Sequence, residues 1–163
     1  MNKEECMNHF KGVFSGSGCN IAIVISRFNS QCTTALLEGA HDCLIRHGVS
    51  DQDVDVYWVP GGFEIPYTLQ RIASVKQYDG ILALGTIIRG DTPHFDVLSH
   101  EVTKGIAQLS LSLSIPIGFG IITADTLEQA LQRSGAKSGN KGFEAALSMI
   151  EMIQLTKQIQ TRD

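Results

Sequence analysis

The sequence predicts an α/β protein, with a four-stranded parallel sheet covered by helices on both faces and a short strand ahead of it. Three observations lead there. Apolar segments rich in β-branched residues alternate along the chain with segments of helical period. The strand-like segments at 21–26 and 81–88 are almost wholly apolar rather than apolar at every second position, as strands buried on both faces are. The 163 residues are one domain's length, with no linker and no internal repeat, so residues 1–163 are expected to form a single domain.

Each element has its own reason. The first nine residues are polar and are expected to be loose. Residues 9–14 read as a short strand, and 15–18 as a turn. The run Ile21–Ser26 reads as a buried strand. Asn29 and Ser30 are of the type that caps helices. From 33 to 47, Leu36, Leu37, Ala40 and Leu44 recur at helical spacing, and Gly48 ends the helix. Residues 53–60 form the second strand. After Gly61 and Gly62 a helix carries Ile65, Leu69, Ile72 and Ala73. Residues 81–88 are the third strand, and a helix from the 89–93 loop runs to about Leu113. The fourth strand is 116–123. A short helix (127–133), a loop of Gly, Lys, Ser and Asn, and a long helix (142–160) complete the chain. The crossovers are expected to be right-handed.

Composition narrows the function classes. The chain is 43% apolar and 18% charged, as soluble globular domains are. With 13 basic and 17 acidic residues the formal charge is −4, so nothing points to nucleic acid. The apolar runs are too short to span a bilayer, and the polar first residues carry no signal-type segment. Cys6, Cys19, Cys32 and Cys43 form neither a zinc frame nor a dense disulfide frame, so reduced thiols and a cytoplasmic location are expected.

In open parallel sheets, ligands bind beyond the carboxyl ends of the strands. That rule selects the loops at 27–30, 60–63, 89–94 and 123–126. Phe28 at the first exit either stacks on a flat ring or packs beneath its own helix. At the second exit, Gly61 and Gly62 allow close backbone approach, and Glu64 suits a helix start; helix punctuation alone would also explain the stretch. The third exit, Gly85-Thr86-Ile87-Ile88-Arg89-Gly90-Asp91-Thr92-Pro93-His94-Phe95-Asp96, ends a strand and opens a helix. Thr92 suits the N-cap and Pro93 the first helical position, and free N–H groups at such an end bind anions. His94 beside it is either a proton-transfer group or a solvated surface histidine. Arg133, Lys137 and Lys141 around a glycine loop suit phosphate or simply solvent. No phosphate-binding P-loop, dinucleotide fingerprint, metal-binding His motif or nucleophile elbow is present. The residues read by themselves describe a ring platform, an anion site and a base between them. They imply a phosphorylated small substrate, a planar partner and proton transfer, with no cofactor and no metal.

Five blocks resemble the lumazine synthase family: Arg27-Phe28-Asn29, residues 59–66, residues 85–96, residues 119–133 with Thr123 and Glu128-Gln129-Ala130, and residues 139–146. They stand in the family's order and span nearly the whole domain. The resemblance implies a flavodoxin-like α/β/α sandwich. It implies an enzyme that condenses 5-amino-6-(D-ribitylamino)uracil with 3,4-dihydroxy-2-butanone 4-phosphate, in the penultimate step of riboflavin biosynthesis. Phe28 and Asn29 would border the pyrimidinedione, with Phe28 stacked on it. Gly62, Phe63 and Glu64 would meet the ribityl chain and nearby backbone. Thr86, Ile87 and Ile88 would line the ring edge, Asp91 and Thr92 would hold phosphate, and His94 would shuttle protons. Phe119, Arg133 and Lys141 would come from a neighbouring subunit of a pentamer. The short 135–142 loop suits members that build a sixty-subunit shell, in which riboflavin synthase is a candidate guest. Three positions depart from the family pattern: Gly62 where a residue with a Cβ is usual, Val97 where an aromatic is common, and Asp91 as a carboxylate beside the phosphate.

Overall fold

The computed structural model describes residues 7–137 and 139–161; Cys6 and Ser138 lie outside the described residues. The sheet is built from β1 (Ile21–Ser26), β2 (Val54–Val59), β3 (Gly80–Ile88) and β4 (Ile117–Ala124). All neighbours are parallel, in the order β2-β1-β3-β4. The helices are α1 (Ser30–Arg46), α2 (Glu64–Val75), α3 (His94–Ser112), α4 (Leu127–Leu131) and α5 (Lys141–Gln160). A 3-10 turn at Asp51–Asp53 leads into β2, and a π-helical turn, Gln132–Ala136, extends α4.

Alternation along the strands sorts the core into two layers. Ile21, Ile23, Ile25, Leu82 and Leu84 face α1, α4 and α5, where Leu36, Leu44, Ala146, Met149 and Ile150 meet them. Ala22, Val24, Ile81, Ala83 and Ile87 face α2 and α3 and pack on Ile65, Leu69, Val102 and Ile106. β1 is the central strand and is buried at all six positions, which explains its lack of alternation. Each fully buried Ile there contributes about 1.5–3 kcal/mol.

Residues 9–14 form no strand. Within this chain that segment lies along α5, where Gln158 donates to the Lys11 carbonyl and Gln154 to the Ser15 carbonyl. The four-stranded sheet supplies it no ladder partner, and a strand exists only where its backbone groups are paired.

Two expected caps also behave differently. Asn29 stands at the start of α1 in the left-handed region (φ 58°), and its side chain makes no cap bond. Its Nδ2 instead donates to the Thr86 carbonyl at 2.8 Å, which ties the exit of β1 to β3. Thr92 does not cap α3: Pro93 is the flanking residue, and no side-chain cap bond is made. The Pro93 carbonyl accepts from Asp96 N at 3.1 Å and so begins the helical ladder.

Asn140 is the most heavily used polar side chain on the α1–α5 side. Its Oδ1 accepts from the amides of Gly142 and Phe143. Its Nδ2 donates to the Ala35 and Ser134 carbonyls, both at 2.8 Å. One residue thereby caps α5, holds α1 and closes the π-helical turn. Gly142 is required beside it, because a Cβ there would stand 2.0 Å from the Leu36 carbonyl oxygen.

Candidate functional site

A cleft of about 440 Å³ opens beyond the carboxyl ends of β1, β2 and β3. It sits between β1 and β3, where the strand order reverses, as ligand clefts in open α/β sheets do. The loop after β1 contributes Phe28 and Asn29. The β2–α2 connection contributes Gly61, Gly62, Phe63 and Glu64. The end of β3 supplies Thr86, Ile87 and Ile88, and the β3–α3 connection supplies Gly90, Thr92, His94, Phe95 and Leu98. Of these, sequence reasoning gave no site role to Gly90, Phe95 and Leu98; Leu98 lies one helical turn beyond His94, and that spacing is the signal that would have found it.

Both aromatic rings at the mouth are presented to solvent. Phe28 is 71% exposed and Phe63 is 69% exposed, so Phe28 does not pack beneath α1. Apolar rings so exposed beside a concave surface suit stacking on a planar ligand. Glu64 opens α2, and its Oε2 accepts from Gly61 N at 2.9 Å. That bond closes the turn and fixes the carboxylate at the cleft. At Gly62 a Cβ would meet Ile87 at 3.5 Å, an ordinary contact, so the unusual glycine relieves no crowding.

The floor and the anion end have their own chemistry. The Thr86 hydroxyl is buried and makes no hydrogen bond, as does that of Ser26 at the end of β1. Gly90 and Thr92 border the cleft while Asp91 does not, so its carboxylate does not line the anion end. His94, the first residue of α3, is exposed and has no hydrogen-bond partner among the described residues.

The other candidates lie elsewhere on the chain. Arg133 and Lys141 share a depression at the end of β4 with Thr123, Gln129 and Gln132. With Lys137 they also border a smaller one beside Glu144. Phe119 is 45% exposed on β4, in a groove against α5 that Lys141 also borders. Lys141 pairs with Glu144 at 2.5 Å. Arg133 has no acidic partner among the described residues. None of Phe119, Arg133 and Lys141 reaches the Phe28–His94 cleft within one chain.

The family model of 6,7-dimethyl-8-ribityllumazine synthase matches residues 18–157. This chain belongs to the 6,7-dimethyl-8-ribityllumazine synthase family. The lumazine synthase of Kosmotoga olearia is 56% identical to it over 154 residues, covering 94% of this chain and 99% of the relative. The resemblance carried by the five blocks therefore holds across the domain. The sheet order and the helices on both sides agree with the flavodoxin-like sandwich expected of a lumazine synthase. As a member of this family the chain is a condensing enzyme of transferase type in riboflavin biosynthesis. No helix among the described residues is long and apolar enough to cross a membrane.

Proposed function

We propose that the cleft forms 6,7-dimethyl-8-ribityllumazine from 5-amino-6-(D-ribitylamino)uracil and 3,4-dihydroxy-2-butanone 4-phosphate, releasing phosphate and water. The observation that carries the reading is the single cleft itself. It holds exposed aromatic rings, the end of β3, a carboxylate, a helix N-terminus and an unengaged imidazole together. Phe28 stacks on the pyrimidinedione, with Asn29 at its border. Backbone groups of Thr86, Ile87 and Ile88 read the ring edge. Gly62, Phe63 and Glu64 face the ribityl chain. The amide and hydroxyl of Thr92, with the amide of Asp91, hold the phosphate at the start of α3.

The chemistry then follows in order. The 5-amino group attacks the ketone, and loss of water leaves an imine. A proton leaves the adjacent carbon, phosphate departs, and the resulting enol becomes a ketone. The ribitylamino nitrogen attacks that carbonyl, and loss of a second water closes the ring. His94 accepts and returns protons through these steps, a role worth roughly 10²–10⁴-fold in rate. Holding both substrates in one cleft lowers the entropic barrier to the first step.

The leaving phosphate needs a cation. Arg133 has no acidic partner among the described residues and does not line its own chain's cleft, which favours delivery to a neighbour's site. Phe119 and Lys141 lie on the same side and fit the same arrangement, a pentamer with shared sites. The family resemblance extends this to a sixty-subunit shell, with riboflavin synthase as candidate guest, in the cytoplasm. Steady-state formation of the lumazine from the two substrates, followed by absorbance, tests the reading. Turnover that needs both substrates and releases phosphate is expected; none from the assembled protein would overturn it.

A further inference from the structure

Arg89, the residue after β3, is engaged on every side. Its Nη1 and Nη2 donate to the two Asp96 carboxylate oxygens at 3.0 and 3.1 Å. Its Nε donates to Asp125 Oδ1 at 2.8 Å. Its guanidinium carbon lies 4.2 Å from the centre of the Phe95 ring. Its backbone amide donates to the Ala124 carbonyl at 2.9 Å. Asp96 and Phe95 belong to the first turn of α3 and directly follow His94, whereas Asp125 follows β4. Hydrogen bonding from Arg89 holds the Asp96 carboxyl below the usual carboxylate range.

We propose that Arg89 is a positioning residue for the reaction: it fixes the turn carrying His94 and Phe95 against the ends of β3 and β4. The proposal rests on the functional reading above. The His94 imidazole has no hydrogen bond among the described residues, so the backbone turn beneath it sets its place. Phe95 lines the cleft, and Arg89 stacks on that ring while gripping the next residue with both arms. Isolated exposed ion pairs contribute little, but bidentate geometry shared between two carboxylates is the case in which they do orient their partners. Arg89 is not itself a phosphate ligand, because two carboxylates occupy its donors and it does not line the cleft. It also joins the two halves of the functional surface. Its two Nη groups hold the turn of His94, and its Nε holds the loop leading into α4 and Arg133.

Arg89→Lys separates geometry from charge, since lysine keeps the cation but has neither the planar fork nor the stacking face. The test measures steady-state kinetics, sedimentation and thermal unfolding of this variant, alone and in a His94→Ala background. A fall in kcat of roughly tenfold or more is expected from a displaced reacting group. The KM for the pyrimidine should stay within about twofold, and assembly and melting should stay near wild type. In the His94→Ala background Arg89→Lys should cost little more, because the group it positions is gone. Unchanged kcat, or a loss of the same factor in both backgrounds, would overturn the proposal. If Arg89→Lys does not assemble, Asp96→Asn opens the same clamp from the helix side and is read the same way. A crystal structure of the variant serves as a readout free of turnover. Displaced His94 and Phe95 support the role; both in their wild-type places sink it, even if the wild-type protein forms no lumazine.

Discussion

His94 carries the sharpest prediction at the scale of a single residue. It opens α3 at the cleft and is buried against nothing, so His94→Ala should leave folding and assembly intact. Turnover should fall by roughly 10²–10⁴-fold. Kinetics together with sedimentation check this, and unchanged turnover would remove the imidazole from the reaction. Cys43 offers a second prediction, on pH. Burial pushes its thiol up to about 11, above the ordinary value of about 8.5. The folded state therefore favours the neutral thiol. Its stabilisation is complete below the unfolded value and is lost as pH rises through the folded one. Thermal unfolding should show a loss between about pH 8.5 and 11 that Cys43→Ala reduces. Thiol reagents should leave the buried Cys43 unreacted at neutral pH.

At the scale of elements, the fold turns on the junction of α1, the π-helical turn and α5. Asn140→Ala removes two accepted and two donated hydrogen bonds. It leaves the amides of Gly142 and Phe143 and the carbonyls of Ala35 and Ser134 without that partner. A loss of about 2–4 kcal/mol is expected, combining a helix cap with unpaired buried carbonyls. Chemical denaturation measures it, and a midpoint close to wild type would reject the assignment. Since the same junction sets the direction in which Arg133 leaves the chain, turnover should fall with stability. The cleft of the same chain is lined instead from the exits of β1, β2 and β3, and its own lining should stay in place.

For the whole molecule, the decisive property is that the candidate groups fall on two surfaces. Phe28 through His94 share one cleft, and Arg133, Lys141 and Phe119 border others. If neighbouring chains complete each site, His94→Ala and Arg133→Ala subunits are each impaired alone and should complement each other when co-assembled. Random mixing in equal amounts leaves both groups intact at roughly a quarter of the sites of a cyclic ring. Activity should recover to about that fraction of wild type; no recovery in particles verified as mixed would argue against shared sites. Light scattering is expected to give the sixty-subunit particle, and a pentamer alone would refute the shell.

The local order of the chain was legible in its residues. Ile21–Ser26 lies between two helical layers and is buried at every position, apolar through Ile25, and this identifies a parallel, covered sheet. The position of the cleft followed as well, because the Gly61-Gly62 pair and the Thr92-Pro93-His94 stretch mark strand exits chemically. Tertiary structure decided what those residues do there. Asn29 and Thr92 have the chemistry of caps, yet one side chain crosses to β3 and the other makes no cap bond. A polar side chain bonds whichever partner the packed neighbours bring closest, as the Asn29 amide donates to the Thr86 carbonyl, and that choice lies outside its own segment. Residues 9–14 have the pattern of a strand but no partner to pair with in their own sheet. Arg89 reads as a loop cation until folding brings Asp96 to it from the first turn of α3 and Asp125 from the loop after β4. Sequence determines what each group is able to do; only the packed chain determines which partner is within reach.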